Sequence, residues 1–198
     1  WSKVSIAQIP MGQGIAVTRL QITMAMCAIA NHGWLMRPML VSRLEDSDHN
    51  VVAQYSPQRV RQVIGEAAAK NMVTALKTVV SPMGTAPQAA LEHYTVAGKT
   101  GTAQKPGPGG YAPGKYFSSF IGFFPADAPE ICIAITLDEP KGSHYGGETA
   151  APVFKEIAMR AANYLNIRPE DASFTAPASA AASSKEFPVV RAAPSRSD

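Results

Sequence analysis

The stretch that most restricts how this chain can fold is Val96–Gln104, which reads VAGKTGTAQ and leads into a segment rich in Gly and Pro. This composition predicts a β-strand, in which successive side chains point to opposite faces. Thr100, Thr102 and Gln104 therefore share one face of the strand. Lys99 lies on the other face. Two hydroxyls and an amide on one face, with an ammonium behind them, suit a ligand that carries a carboxylate.

Two glycines in the same stretch, Gly98 and Gly101, leave room for a ligand or another backbone to come close. The sequence around Lys99 also looks like the end of a P-loop. That motif needs a glycine five positions before Gly98, where His93 stands, and a loop that leads from a strand into a helix. Lys99 instead lies inside strand-like sequence, so the P-loop is disfavoured. A strand that carries a solvated lysine remains the simpler alternative.

Length, charge and cysteine content narrow the class of protein. A chain of 198 residues can form one domain with a core, and its net charge of +3 without basic clustering predicts no nucleic-acid partner. No apolar run reaches membrane-spanning length, and the start at Trp1 does not resemble a signal peptide. Cys27 and Cys132 are expected to be core thiols, because their spacing indicates neither a metal site nor a disulfide.

The first part of the chain predicts a turn and then a buried helix. Gly12–Gly14 marks the turn. Thr18 and Gln21 have the spacing of a capping box, and Gly33 stands where a helix C-terminus is expected. Because the intervening residues are apolar on most sides, this helix is expected to be buried.

A hairpin and a second helix are predicted next. Strands over Met39–Leu44 and Val51–Tyr55 flank a polar turn at Asp46–Asn50. The acidic residues and the histidine of that turn resemble metal ligands, but one turn supplies too few of them and a solvated hairpin tip is favoured. Glu66–Val80 has helical spacing, and Pro82 ends it.

The second half predicts a mobile loop over Gln104–Gly114, immediately after the strand that carries Lys99. Phe117–Phe124 and Ile131–Leu137 are apolar segments that suit an antiparallel hairpin. A Gly-rich loop follows at Lys141–Glu148, and Thr149 is the expected N-cap of the last helix.

The resulting order is helix, small strands, helix, three antiparallel strands, helix. It predicts an α/β fold in which helices cover an antiparallel sheet. Residues 1–169 are assigned to this domain. Residues 170–198 are predicted to be a disordered tail, because Ala, Ser and Pro dominate from Ala172 onward.

A set of short motifs in one order resembles the C-terminal part of the transpeptidase domain of class B penicillin-binding proteins, and most closely the cell-division, FtsI-like type. The resemblance covers roughly Trp1 to Pro169 and implies the penicillin-binding/β-lactamase-like transpeptidase fold. The motifs are Gly12–Gly14, Val17–Gln21, Ala30–Gly33, Gly84–Ala86, Gly98–Gln104, Phe120–Phe123, Asp138–Pro140 and Tyr145–Gly147 followed by Ala150–Phe154.

One departure from the family is important. The Ser-x-x-Lys nucleophile motif and the Ser-x-Asn motif, which precede Lys-Thr-Gly in the family, occur nowhere in this sequence. Thr74–Lys77 has the spacing of the first motif, but it lies in the predicted second helix, and Lys77 is interpreted as a surface lysine. The simplest explanation is a partial protein that begins after both motifs and is inactive by itself. The alternative is a degenerate, non-catalytic relative.

The family implies acyl transfer in peptidoglycan cross-linking. A serine attacks the D-Ala-D-Ala carbonyl of a stem peptide, D-Ala leaves, and an amino group of a neighbouring strand resolves the acyl-enzyme; β-lactams mimic the dipeptide. Lys99 is implied to assist proton transfer and the Thr102 N–H to bind the oxyanion, so these two residues are the catalytic candidates. The residues implied to contact the substrate are Thr100, Gly101, Thr102, Gln104, Tyr145, Gly146 and Gly147.

The resemblance implies no cofactor and no metal. It implies partners in division and a membrane glycosyltransferase, and a catalytic domain on the periplasmic side of the cytoplasmic membrane, held by an anchor that this chain does not contain. Two other functions stay open: a β-lactamase or D,D-carboxypeptidase, which would hydrolyse, and a protein that only binds penicillin.

Overall fold

The structure, a computed structural model, describes residues 5–9 and 15–171. The predicted turn at Gly12–Gly14 and the chain from Ala172 onward lie outside the described residues. The helices are α1 (Ser5–Gln8), α2 (Arg19–Ala30), α3 (Glu66–Val80) and α4 (Gly146–Leu165). The strands are β1 (Trp34–Met36), β2 (Arg43–Glu45), β3 (Val51–Gln54), β4 (Arg59–Gln62), β5 (Ala97–Gly107), β6 (Gly110–Phe124) and β7 (Ile131–Asp138).

A three-stranded antiparallel sheet in the order β5-β6-β7 forms the centre of the fold. Because side chains alternate along β6, Phe120 and Phe124 pack on one face with α4, whereas Phe123 packs on the other face with residues of α2 and α3. All three rings are fully buried. Phe154 of α4 meets Phe120 edge to face, with the ring centroids 4.8 Å apart. The sheet is therefore covered by helices on both faces, as the sequence predicts.

The second predicted helix is confirmed with its bounds, because α3 covers Glu66–Val80. Its buried residues, Ala69, Leu76 and Val80, recur at helical spacing and face the sheet. The chain leaves the helix at Ser81, whose extended backbone precedes Pro82.

The capping box of α2 is also confirmed. Thr18 Oγ1 accepts the Gln21 N–H at 3.1 Å, and Gln21 Oε1 accepts the Thr18 N–H at 2.8 Å. The predicted burial of this helix is wrong, because Leu20 is 58% exposed and Ile22 is 44% exposed. Only Met26 and Ala28 are buried, since the neighbouring β1, α3, β6 and β7 contact one side of the helix.

The predicted hairpin between α2 and α3 is present but shorter. Its strands are β2 and β3, and Asp46 Oδ1 closes the turn by accepting the N–H groups of Asp48 and Asn50, each at 2.9 Å. Residues 39–42, predicted as strand, are not. A second ladder, β1 with β4, was not predicted. The exposed β4 reads RVRQ and lacks the apolar alternation that marks a half-buried strand.

The predicted mobile loop at Gln104–Gly114 is wrong. β5 continues to Gly107 and β6 begins at Gly110, so most of this segment forms paired strand. Pro106 has no N–H for the ladder, and the register shifts between Gln104 and Pro106, as is usual for a bulge. Gly109 and Gly110 take φ of +77° and +151°, which lets the tight hairpin turn form.

The last helix starts earlier than predicted. α4 begins at Gly146 with Tyr145 as its N-cap, so Thr149 already lies inside the helix. The Thr149 hydroxyl donates to the Tyr145 carbonyl at 2.9 Å and caps nothing. Residues 5–9 and 15–171 contain no helix with both the length and the apolar character that crossing a membrane requires.

The end of the described chain is attached to the domain. Thr95 donates its N–H and its hydroxyl to the Glu170 carboxylate, and His93 Nδ1 lies 2.7 Å from Asp171 Oδ2. Glu170 and Asp171 fall in the segment predicted as a tail, yet both have partners on the loop before β5. The Asp171 carboxylate, through this hydrogen bond, raises the pKa of His93 above its usual range.

We expect the His93–Asp171 contact to stabilise the fold only where His93 is protonated. Because the folded-state pKa is raised, this stabilisation is complete below the unfolded pKa of about 6.5 and is lost as the pH rises through the folded pKa. Asp171→Asn should therefore lower the melting temperature at acidic pH and have little effect at alkaline pH. Melting curves of both proteins between about pH 5.5 and about pH 9 test this.

The matched control is Glu156→Gln. This change removes a carboxylate paired with Arg160, whose charge does not change over that range. Its effect on the melting temperature should depend little on pH. An Asp171→Asn effect that is equally flat would contradict the assignment.

Candidate functional site

β5 carries the Lys-Thr-Gly stretch, and it continues as a strand through Lys99 into the hairpin with β6. Lys99 is followed directly by more strand and not by a helix, which excludes the P-loop. Ala97 belongs to the core on the α2 and α3 side, and Lys99, two positions on, shares that face but is exposed. Thr100 and Thr102 share the opposite face, towards α4.

Both threonine hydroxyls on the α4 side have partners from outside the strand. Thr100 Oγ1 lies 3.1 Å from Thr85 Oγ1, which belongs to the loop after α3. Thr102 Oγ1 accepts the N–H of Gly146, the first residue of α4, at 3.4 Å. The loop after α3 and the N-terminus of α4 therefore fix the two hydroxyls side by side.

Gly146 and Gly147 are buried where α4 meets the sheet. A Cβ atom on Gly146 would lie 2.1 Å from the Ser119 carbonyl oxygen and 2.6 Å from the Gly101 carbonyl oxygen. On Gly147 it would lie 2.0 Å from the Thr85 carbonyl oxygen. Real Cβ atoms do not approach backbone oxygens so closely, so these glycines allow the helix to dock. They support the site from beneath, and only Tyr145 of this predicted trio is exposed.

The loop before α4 is held by a residue that sequence reasoning missed. Ser118, the cross-strand partner of Thr102, is fully buried, and its hydroxyl donates to the His144 carbonyl. His144 stacks on Tyr116, with 4.3 Å between ring centroids, and its ring also contacts Tyr145 at 4.4 Å. The available signal was the alternation of β6, which puts Ser118 on the same inward face as Phe120 and Phe124, because a buried hydroxyl needs a partner.

Gln104 lies at the outer end of this arrangement. It is half-buried, on the same face as Thr102, and its cross-strand partner is Tyr116. The stacked Tyr116 and His144 rings therefore form a wall beside the Gln104 amide. Gly101, between the two threonines, faces the other side, where a Cβ atom would lie 2.5 Å from Ser119 Oγ.

The Lys99 ammonium reaches around the strand to its edge. Lys99 Nζ donates to the Thr100 carbonyl oxygen at 2.7 Å. In an antiparallel strand, backbone groups two residues apart point to the same edge. The N–H of Thr102 therefore points the same way as the Thr100 carbonyl and the Lys99 ammonium. An ammonium and a backbone N–H along one edge are arranged to meet negative charge.

Beyond Gln104, an ion-pair network fixes the sheet. Lys105 Nζ lies 2.6 Å from Asp138 Oδ1 and 2.7 Å from Glu139 Oε1. These hydrogen bonds raise the pKa of Lys105, and the bond from Lys105 lowers the pKa of Glu139. Lys115 adds a contact to Glu139 at 3.5 Å. The ammonium groups of Lys105 and Lys115 are therefore paired with carboxylates, whereas the Lys99 ammonium donates to a backbone carbonyl oxygen.

Other sequence candidates lie elsewhere. Lys77, interpreted as a surface lysine, is half-buried and binds both Asp127 carboxylate oxygens at 2.6 Å. The Asp46 carboxylate is occupied by the backbone of its own turn.

A cavity of about 550 Å³ lies beside the β2–β3 hairpin, lined by Met39, Leu44 and their neighbours, and it includes no residue of β5. Within the described ranges, no cluster of three His, Cys, Asp or Glu side chains could hold a metal ion.

The comparison with protein families identifies a match over residues 1–159. The matching family is described as penicillin binding protein transpeptidase domain. The match includes all of β5 and the first two thirds of α4.

Relatives of known name are similar along most of the chain. Stage V sporulation protein D of Bacillus subtilis is 38% identical over 168 residues, which are 84% of this chain and 26% of that protein. The peptidoglycan D,D-transpeptidase FtsI of Buchnera aphidicola is 33% identical over 171 residues, which are 86% of this chain and 29% of that protein. The chain thus spans less than a third of the length of these curated relatives.

A solved structure is similar as well. Penicillin binding protein 3 of Mycobacterium tuberculosis, crystallised as a complex with ampicillin, superposes with a TM-score of 0.76 at 34% identity. The superposition covers 87% of this chain and 40% of that one. The apo form of that protein gives a TM-score of 0.75, with 86% of this chain covered and 40% of the other.

We expect a side chain at Gly146 to separate α4 from the sheet. Gly146→Ser would place Cβ against two backbone oxygens that cannot rotate away, and overpacking of this kind costs about 1–3 kcal/mol. The melting temperature of the variant should fall accordingly, and the Thr102 hydroxyl should lose its N–H donor. The matched control is Gly65→Ser at the N-cap of α3, where an added Cβ meets nothing within 4 Å. If both variants have the melting temperature of the wild type, the docking role of Gly146 is wrong.

Proposed function

This chain belongs to the family of penicillin-binding protein transpeptidase domains, and from that membership we propose that it is part of a peptidoglycan D,D-transpeptidase. The 198 residues contain neither a Ser-x-x-Lys nor a Ser-x-Asn motif. We therefore assign the nucleophile to a part of the protein outside this sequence. This chain supplies the strand that receives the substrate and the helix that supports it.

The observation that carries the proposal is the fixed pair of hydroxyls on β5. Thr85 and the N–H of Gly146 hold Thr100 and Thr102 on one face. Because Thr102 Oγ1 accepts from Gly146, its own proton is free to be donated to a ligand. A carboxylate that lies along β5 can accept from both threonines. A stem peptide that ends in D-Ala-D-Ala has such a carboxylate, and so does a β-lactam.

The N-terminus of α4 supports the same role. A helix of 20 residues carries a partial positive charge at its N-terminus, and this terminus lies against Thr102. Negative charge near Thr102 is therefore stabilised. Gly146 and Gly147 form the floor of the site, Gly101 lies between the two threonines, and Gln104 and Tyr145 lie beside them.

Two groups at the edge of β5 fit the chemistry of acyl transfer. The Thr102 N–H can bind the oxyanion that forms when the serine attacks the carbonyl. The Lys99 ammonium, next to the Thr100 carbonyl, adds positive charge at the same edge. In the assembled enzyme it stabilises the developing negative charge and assists proton transfer at the Ser-x-Asn serine. These assignments need no cofactor and no metal.

The setting of the enzyme belongs to the same proposal. Relatives named for sporulation and for FtsI-type transpeptidation indicate cell-wall synthesis, with division as the favoured stage. Cross-linking of stem peptides takes place outside the cytoplasmic membrane, so the catalytic domain lies on the periplasmic side and its membrane anchor belongs to another part of the protein. A membrane glycosyltransferase and division proteins are the proposed partners. The 26% and 29% coverage of these relatives leaves room for such parts.

Labelling of the full-length protein by fluorescent penicillin tests the function through Lys99. We expect Lys99→Met to slow acylation by about a hundredfold or more, because the charge that assists proton transfer is lost. Lys99→Arg should retain part of the rate, since it keeps the charge with a wider group. The matched control is Lys115→Met, on β6, which should label at the wild-type rate.

Each outcome of this labelling experiment has a consequence. Wild-type protein that never labels would favour a non-catalytic relative. Label that is released by fast hydrolysis would favour a β-lactamase or D,D-carboxypeptidase. Equal rates for Lys99→Met and wild type would leave Lys99 as a solvated strand lysine.

We expect the Thr102 hydroxyl to matter only for substrates with a carboxylate. Thr102→Val keeps the shape but also removes the acceptor of the Gly146 N–H, so its melting temperature is measured beside the wild type. It should weaken capture of a β-lactam by about 1.5–3 kcal/mol, the value of a hydrogen bond to a charged group. Acylation by a carboxylate-free thioester should be unchanged. Thr136→Val on β7 makes the same substitution in the same sheet and should affect neither substrate. An equal loss with both substrates would show that the hydroxyl does not bind the carboxylate.

A further inference from the structure

The chain has two cysteines, and the fold brings them together on the side of the sheet away from β5. Cys27 lies on α2 and Cys132 on β7, so more than half of the chain separates them in sequence. Both are free and half-buried. Both line one cavity of about 350 Å³, together with Met36, Phe123 and Glu130.

The two thiols face this cavity from two elements that pack against each other, because α2 contacts β7. Beneath them, Cys132 packs on a core cluster that includes Met26 and the fully buried Phe123. The exposed Glu130 lies at the rim, which opens the cavity to solvent. A small molecule can therefore reach the sulfur atoms from the open side of the cavity, although Cys132 is packed against the core on the other side.

The pKa values of the two thiols shift in opposite directions. The hydrogen bond from Cys132 lowers the pKa of Cys27 to about 7. Donation to Cys27, together with burial, raises the pKa of Cys132. The lowered pKa favours the Cys27 thiolate, and the thiolate is the form that attacks disulfides. The second thiol lines the same cavity, where a resolving thiol must lie.

We propose that Cys27 and Cys132 form a redox-active dithiol, which a small-molecule disulfide such as oxidised glutathione converts into an intramolecular disulfide between α2 and β7. The cavity admits the oxidant, the packing of α2 on β7 brings both cysteines to it, and core packing of Cys132 fixes one side of the bond. Neither cysteine belongs to the site on β5, because β6 lies between β5 and β7.

The reaction needs two thiol–disulfide exchanges. The Cys27 thiolate attacks one sulfur of oxidised glutathione, the S–S bond breaks, and one glutathione leaves as a thiolate. Cys132 then loses its proton to that thiolate or to solvent, and its sulfur attacks Cys27. The mixed disulfide breaks and the second glutathione leaves. The protein gives up two electrons and two protons, and the oxidant becomes two molecules of reduced glutathione.

The disulfide would join elements that already touch, because α2 contacts β7 in the reduced protein. Its main effect is therefore on the unfolded chain, where it closes a loop of more than half the sequence. It would also hold the half-exposed α2 against the sheet. Oxidation should raise the thermal stability without a rearrangement at β5.

The test incubates the whole protein with excess oxidised glutathione and measures its intact mass, its free thiols and its melting temperature. We expect the wild type to lose two hydrogens and both free thiols without gaining glutathione. Its melting temperature should rise by about 5 °C or more over the protein kept in dithiothreitol. Reduction should reverse all three changes.

Two matched variants separate the roles of the thiols. Cys132→Ser should stop at the mixed disulfide and carry one glutathione on Cys27. Cys27→Ser should react at least about tenfold more slowly, because burial by itself still raises the pKa of the remaining thiol. The melting temperatures of both variants under reducing conditions, compared with the reduced wild type, show whether the serines preserve the fold.

Several results would overturn the proposal. A wild type that gains two glutathiones has thiols that cannot reach each other. A wild type that forms only disulfide-linked dimers has thiols that react between molecules. A wild type that keeps both thiols free while a small thiol reagent still titrates them lacks a redox-active pair. Equal reactivity of the two single variants would remove the assigned roles of attacking and resolving thiol.

Discussion

The contact between α4 and the sheet is the constraint on which the candidate site depends. Two glycines at the start of the helix come so close to the backbone of β5, β6 and the loop after α3 that no side chain fits between them. This approach aims the N-terminus of α4 at Thr102 and seats Phe154 on Phe120. One packing event therefore builds a core and creates a place where negative charge is stabilised.

Because side chains alternate along a strand, the two faces of the sheet have different roles. On β6, Phe120 and Phe124 meet α4 while Phe123 meets α2 and α3, so the strand is buried on both faces. β5 begins in the same core at Ala97, and Lys99 on the same face is already exposed. β5 is thus held in the core at its first residues, and the side chains from Lys99 onward are accessible.

Sequence reasoning predicted the features that depend on residues close together in the chain and missed those that depend on residues far apart. The capping box of α2 and the bounds of α3 were predicted, because both depend on residues a few positions apart. The exposed side of α2 was not, because burial depends on which distant elements contact a helix. The strands around Pro106 were missed, since Gly and Pro usually mark a loop and only the partner strand shows that the ladder continues.

By itself, the sequence determined that Lys99 stands back to back with Thr100 and Thr102, because a strand permits no other arrangement. Only the tertiary structure decided what surrounds these residues. Thr85, Ser118 and Gly146 come from three other segments, and folding of the chain brings them to β5. The same holds for Cys27 and Cys132, whose spacing indicates no pair. Contacts between residues distant in sequence are set by packing, and a local pattern carries no record of them.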